Sequence, residues 1–270
     1  MEVHNRELSD VTRYIEGHRS ETLEDKIPEF NRLMKYAGKY KAIEPGMDIL
    51  EIGIGCGSVP ILCKMKGLHC KGLEISPQLV EYARSWGRAL GAEPDVEIAN
   101  IETSDIGEAR YDVIFCSNVF EHIEYWRLAL EKVYRALKPG GVLFFESTSK
   151  FSFVSGEYDF PLYGWLPNQW RYKLRQRAQG PDIMKLGIDF NQFTHPGLRR
   201  AFKRAGFREW HDVFDLIDTG TPRSFAKRWI IALGQRFRPF RELVLCFHIA
   251  TTYVCVKQTP PNSPANAEHG

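Results

Sequence analysis

A doubly wound α/β fold on a seven-stranded, mostly parallel sheet is the architecture this sequence predicts. Three observations point to it. Apolar runs of strand length alternate with helix-period segments between residues 48 and 146. The first run, Asp48–Ile52, opens onto glycines at alternate positions, Gly53, Gly55 and Gly57. The second run ends on an acid, Glu74. A chain of 270 residues is long enough for one such domain with insertions. Hydrophobic content of 43% with 26% charged residues excludes an intrinsically disordered polymer.

The elements follow in order. Residues 1–44 are expected to form a helical cap, because Leu8, Val11 and Ile15, then Ile27, Phe30, Leu33, Met34 and Ala37, recur at helical spacing. The domain proper is placed at 45–258. After the glycine loop, Ser58 opens a helix with Pro60 in its first turn. A second strand over Cys70–Leu73 leads to a helix with Ser76 at the N-cap and Pro77 at the first helical position. Strands are expected at Val96–Ala99, Tyr111–Cys116 and Val142–Glu146. A helix at Trp126–Leu137 precedes the fifth strand, with Lys138-Pro-Gly-Gly141 read as a turn. Thr194 caps a short helix closed by Gly206. A sixth strand is expected near Glu209–Leu216 and a seventh near Thr251–Lys257, with a basic helical segment, Arg223–Phe247, between them. The tail 259–270, rich in proline and small polar residues, is expected to be disordered.

Glycine loops after a first strand serve two kinds of nucleoside cofactor. Dinucleotide sites use G-x-G-x-x-G, but Ser58 stands where the third glycine would fall. Glu51, in the strand just before the loop, would repel a pyrophosphate and attract the ammonium or sulfonium of S-adenosylmethionine. An acid ending the second strand suits ribose hydroxyls. Glu51 and Glu74 together therefore favour S-adenosylmethionine. Ligands in such folds sit beyond the carboxyl ends of the strands, where Gly53–Gly57, Glu74, Asn100 and Ser117 fall.

The succession Ile49-Leu-Glu-Ile-Gly-Ile-Gly-Cys-Gly57, Leu73-Glu-Ile-Ser76, Tyr111-Asp-Val-Ile-Phe115, Asn118-Val-Phe-Glu-His122, Leu137-Lys-Pro-Gly-Gly141 and Phe193-Thr-His-Pro-Gly-Leu198 resembles the class I S-adenosylmethionine-dependent methyltransferases. Within that family it is most similar to small-molecule O-methyltransferases of the ubiquinone-biosynthesis type. The resemblance spans about residues 45–210 and implies a Rossmann-like fold and an S-adenosylmethionine-dependent methyltransferase, with S-adenosylhomocysteine as product. It implies that Glu51 faces the methionine ammonium, that Gly53, Gly55 and Gly57 pass under the cofactor, and that Glu74, followed by Ile75, holds the ribose. It also implies that Asn100 and Ile101 flank the adenine, and that Ser117 and Asn118 lie near the transferred methyl. The family more often has Asp at the position of Asn100. Glu121 and His122 match an acid–histidine pair that in part of the group belongs to a cation-binding E-x-x-E-H pattern. Asn118 occupies the first position here, so no metal is expected. His122 is either a general base or a residue packed at the pocket mouth, and Glu121 either assists it or bonds locally. His195 reads as a helix-start residue.

Acceptor choice is expected to come from two insertions, 151–193 and 219–248, which interleave large aromatics with cations. Between Tyr163 and Arg241 there are sixteen Lys/Arg against six Asp/Glu, while the rest of the chain is acidic in balance. Such segments suit a membrane interface with anionic headgroups, or form a lid whose aromatics cover the cofactor. The expected acceptor is an oxygen of a small amphipathic or lipid-linked molecule, with an anionic membrane surface as partner. The alternative is a nucleic-acid- or protein-directed methyltransferase that binds through the basic 163–241 region. Nucleic acid is the weaker expectation, because the N/D-P-P-Y/F motif of base-directed enzymes is replaced by Ser117-Asn118-Val119-Phe120. A cofactor-binding protein without catalysis is disfavoured by the intact glycines and Glu74. Six cysteines without a CxxC pair, no apolar leader and no apolar run of about 20 residues lead to a cytoplasmic expectation, peripheral on the inner face of a membrane.

Overall fold

The computed structural model describes residues 11–154, 160–180, 188–217 and 224–259. The expectations for Leu8, for Arg223 and for the tail beyond 259 lie outside them, as do parts of both insertions. The cap comprises α1 (Thr12–His18) and α2 (Leu23–Gly38). Thr22 and Asp25 form a reciprocal capping box that starts α2, whose buried face is Leu23, Phe30, Leu33 and Ala37. Ile27, expected on that face, is exposed.

Alternation then builds β1 (Asp48–Ile52), α3 (Ser58–Met65), β2 (His69–Glu74), α4 (Pro77–Ala89), β3 (Asp95–Ile98), β4 (Tyr111–Ser117), a single 3-10 turn (Phe120–His122), α5 (Trp126–Ala136) and β5 (Leu137–Thr148). Next come α6 (Asn168–Gln179), α7 (His195–Ala205), β6 (Glu209–Asp212), α8 (Val213–Leu216), α9 (Phe225–Arg236), α10 (Arg238–Phe247) and β7 (Ala250–Val256). The sheet order is β3-β2-β1-β4-β5-β7-β6, with β7 antiparallel to both neighbours and every other pairing parallel. The winding reverses between β1 and β4, and the crevice at that reversal is where such sheets hold ligands.

Apolar layers fill both faces. Leu50, Ile114, Leu143 and Tyr253 point toward α5 and α7, while Ile49, Val113, Phe144 and Val254 point toward α2 and α3. Three sequence expectations shift. The Lys138–Gly141 turn is an irregularity inside β5: Tyr111 pairs with Leu137 and Val113 already with Val142. There Lys138 bridges Asp48 and Asp112 at 2.7 Å each. The sixth strand stops at Asp212, whose carboxylate caps α8 in a box with Asp215. The described part of the basic segment expected before the last strand is two helices, α9 and α10, broken at Phe237 before Pro239.

Candidate functional site

The glycine loop and the acid that ends β2 are built as one unit. Gly53, Gly55 and Gly57 all have left-handed φ, and a Cβ on Gly57 would lie 2.4 Å from that of Ala83. Glu74 is buried and joins two loops: Oε2 accepts from the Gly55 N–H at 3.2 Å, and Oε1 from those of Ile75 and Ser76 at 2.9 and 3.1 Å. Burial raises its carboxyl above the ordinary value while those three N–H groups pull the other way. The acid thus stands at the crevice, fixed by the backbone that a nucleoside would approach.

Glu51 tests whether the cofactor fits. Its side chain is buried, and Oε2 has no hydrogen-bond partner among the described residues. Burial, then Cys63, Glu29 and Glu74, push its carboxyl well up, and among the described residues no cation offsets this. An orphaned acid at the mouth of a glycine cradle suits a cationic ligand group, and the residues present therefore fit S-adenosylmethionine. Tyr14 of α1 was not anticipated. A Cβ on Gly55 would sit 2.9 Å from its phenol oxygen, so α1 lies over the loop. Burial, with Cys56 and Glu74 nearby, raises that phenol. Val11, Cys56 and Leu79 pack together beneath α1 and hold it there.

At the edge of the crevice, Asn100 turns its chain back, with Oδ1 accepting from the Glu102 N–H at 2.9 Å. Ile101 is buried in the core with Leu73 and Ile52, so of the expected adenine pair only Asn100 is partly exposed. Asn118 adopts φ +54 and is exposed, and its N–H donates to the Glu146 carbonyl at 2.9 Å. Ser117 Oγ donates to Glu146 Oε1 at 3.3 Å. Glu146 is the centre of a buried cluster missed in the sequence. Arg32 of α2 grips both its oxygens at 2.7 Å, and Thr252 Oγ1 donates to Oε2 at 2.7 Å. Burial pushes this carboxyl up, but Arg32 and the two hydroxyls outweigh it and hold it below the ordinary value.

The 3-10 turn separates the acid from the histidine. Glu121 is fully buried and accepts from Ser147 Oγ at 2.7 Å, on the sheet face opposite Glu146. Its place is that of an anchor for the turn. His122 is half-buried, with Nδ1 3.2 Å from the Ile188 carbonyl. His195 is buried in the first turn of α7, with Nδ1 2.7 Å from Tyr253 Oη. Burial, with Arg199 and His248 nearby, lowers it to about 3, so it is a neutral core residue. Among the described residues no group of three His, Cys, Asp or Glu side chains is placed to share a metal ion.

The basic region is less free than its residue count implies. Arg171 and Arg175 are buried on Asp189, Arg199 pairs with Asp212 and Glu242, and Arg241 pairs with Asp212 and Asp215. By contrast Trp170, Phe225 and Trp229 are 68%, 76% and 61% exposed. No described helix is long and apolar enough to cross a membrane.

A family model described as a methyltransferase domain matches residues 16–212. The chain is similar to the ubiquinone biosynthesis O-methyltransferase of Hahella chejuensis (strain KCTC 2396), 26% identical over 215 residues, which are 74% of this chain and 90% of that one. It is also similar to the protein of that name from Idiomarina loihiensis, 27% identical over 129 residues, 45% of this chain and 52% of the other. The chain spans about half the length of several such relatives. Among solved structures, an Archaeoglobus fulgidus SAM-dependent methyltransferase superposes with a TM-score of 0.54 at 17% identity, covering 92% of this chain and all of that one. Haemonchus contortus phosphoethanolamine N-methyltransferase 2, solved with S-adenosylhomocysteine, superposes at 0.55 and 15% identity, covering 85% and 53%. These likenesses show the fold.

Proposed function

Because this chain belongs to the methyltransferase-domain family and is an S-adenosylmethionine-dependent methyltransferase, we propose that it methylates an oxygen of a small amphipathic or lipid-linked acceptor at a membrane surface. The observation that carries this reading is the apolar stripe of α9. Phe225, Trp229, Leu233 and Phe237 follow one another at four-residue intervals and are all exposed, while Ile231 and Gly234 are buried on the other side. Lys227, Arg228, Arg236 and Arg238 flank the stripe in solvent. A helix already packed by one face has no core use for a second apolar face. Aromatics with flanking cations suit the headgroup region of an anionic bilayer. Relatives named as O-methyltransferases support an oxygen acceptor.

The roles assigned to side chains follow their places. Glu51 holds the cofactor's ammonium and Glu74 its ribose hydroxyls, with Ile75 beside them. Asn100 borders the adenine, with Ile101 packed behind it. Ser117 and Asn118 line the methyl end. When bound, the cofactor supplies a methyl already activated by its sulfonium. The chain therefore has to align the acceptor oxygen and exclude water. His122 takes the acceptor's proton, and Glu121 fixes the turn that carries it.

Two measurements test this. Calorimetric titration with S-adenosylmethionine and S-adenosylhomocysteine should show binding that Glu74→Ala abolishes. The chain should co-sediment with phosphatidylglycerol vesicles and not with phosphatidylcholine vesicles, and Trp170→Ala with Trp229→Ala should abolish this without changing cofactor affinity. Equal sedimentation of the double variant would remove the membrane part of the reading. The basic surface offers the second reading, a nucleic-acid-directed enzyme, and a steep salt dependence of oligonucleotide binding would favour it.

A further inference from the structure

We propose that Asp189 is a positioning residue for His122: clamped by two buried arginines, it fixes the peptide whose carbonyl holds the imidazole in its Nδ1–H form. This rests on the reading of His122 as the base. Asp189 is fully buried, and every oxygen it has is held. Arg171 Nη1 pairs with Oδ2, Tyr163 Oη donates to Oδ2 at 3.1 Å, and Arg175 Nη1 donates to Oδ1 at 3.1 Å. Its main-chain carbonyl accepts from Arg171 Nη2 at 3.0 Å and from Tyr172 Oη at 3.1 Å. Arg171 is itself fully buried, and the same Nη2 donates to Asn168 Oδ1 at 2.7 Å.

The other end of this short segment is fastened to the turn that carries the candidate base. Asn191 N donates to the Glu121 carbonyl at 3.0 Å, and its Nδ2 donates to the carbonyls of Phe120 and Ile123 at 3.1 and 2.7 Å. The Ile188–Asp189 peptide lies just before the first of these fastenings, joined directly to the clamped Asp189. It is planar, so with Asp189 immobilised the Ile188 oxygen can swing only about the N–Cα bond of Asp189, and its contact with His122 closes that one freedom. That oxygen is 3.2 Å from His122 Nδ1. A carbonyl only accepts, so Nδ1 carries the hydrogen and the neutral ring keeps its lone pair on Nε2. A general base needs that lone pair in one place. In water, imidazole prefers the opposite tautomer. The clamp therefore selects the form that chemistry at Nε2 requires.

Apolar side chains could hold two strands of chain together at lower cost than three buried ions. What the ionic clamp adds is direction, because a guanidinium fork fixes a carboxylate in orientation as well as in place.

The test reads the ring directly and needs no acceptor. Full-length protein with ¹⁵N-labelled histidine is examined by long-range ¹H–¹⁵N correlation at a pH where the ring is neutral, with His122 assigned by its loss in His122→Gln. The expected spectrum shows a protonated-type shift for Nδ1 and an unprotonated-type shift for Nε2. In Asp189→Asn these should move toward each other as the tautomers mix. Should that variant not fold, Arg175→Met keeps one neutral Arg–Asp pair and should show a smaller shift of the same sign. An Nε2–H ring in the unmutated protein, or an Nδ1–H ring unmoved in a folded variant, overturns the proposal. Undiminished methyl transfer by His122→Gln to a phenol dispersed in micelles would overturn the base role on which the proposal rests. The ring spectra would still stand, so the two failures are distinguishable.

Discussion

Replacing Arg32 by methionine isolates what the α2 clasp on Glu146 contributes. The variant keeps most of the aliphatic bulk against the Phe144 ring, which lies 5.7 Å from the guanidinium. It leaves a carboxylate with 11% side-chain exposure facing two hydroxyls and no cation. Removing one partner of a buried pair costs about 3–5 kcal/mol. Arg32 is 32% exposed, so water can reach the emptied position, and about 3 kcal/mol is expected at neutral pH. The sign of the pH dependence follows from the carboxyl. In the unmutated protein Glu146 lies below its ordinary value, so its contribution is present at neutral pH and is lost only as acid reaches that depressed value. In Arg32→Met only the two hydroxyls still oppose burial, and the carboxyl rises above its unfolded value. The penalty is then largest at high pH and relaxes as the group takes up a proton. A cost of about 3 kcal/mol at pH 7.5 should be smaller at pH 5, because each pH unit over which only the variant's carboxyl takes up its proton is worth about 1.4 kcal/mol. Urea unfolding followed by circular dichroism at both pH values measures this. A difference under about 1 kcal/mol at pH 7.5, or one that does not shrink at pH 5, would refute the argument that the clasp neutralises a buried charge.

Gly57→Ala places a methyl 2.4 Å from Ala83 Cβ at φ +84, so it should cost at least about 2 kcal/mol and weaken S-adenosylmethionine binding; an unchanged titration would show that the loop does not touch the cofactor. His195 is neutral when folded, lowered to about 3 by burial with Arg199 and His248 nearby, whereas the unfolded chain protonates near 6.5. Its contribution is complete above pH 6.5 and is lost as pH falls. The unmutated protein should therefore lose about 2 kcal/mol between pH 7 and pH 5 that His195→Gln does not lose. Equal losses in the two proteins would show that this ring is not buried neutral.

Local rules made the doubly wound half of the chain readable. Strand-length apolar runs, the Ser76 cap with Pro77, and the Thr194 cap that accepts from the Gly197 N–H are all written within a few residues, and each forms where expected. The Asp212 capping box was equally local, but the apolar residues after Asp212 masked it as more strand. What could not be read depends on distance along the chain. Arg32 meets Glu146 across 114 residues, and nothing near either residue distinguishes a buried pair from two solvated charges. Arg171 and Arg175 carried the same ambiguity. In sequence they add to a basic block, and in the structure they are spent on Asp189.

The division of the sheet by face explains why the motifs specify the cofactor and leave the acceptor open. Glu51, Ser117, Glu146 and Thr252 alternate onto the face covered by α2 and α3, so the cofactor end is fixed by the strands and by the cap. His122 hangs from a single turn beyond β4, and its neighbours Ile188 and Asn191 belong to the insertion that follows β5. Changes in that insertion can therefore reshape the surroundings of His122 without moving Gly53–Gly57 or Glu74. Because α9 and α10 sit in the other insertion, between α8 and β7, the apolar stripe can likewise vary independently of the crevice. On the proposed reading, acceptor choice would rest on these two insertions, which obey no local pattern, while the crevice stays fixed by the strands.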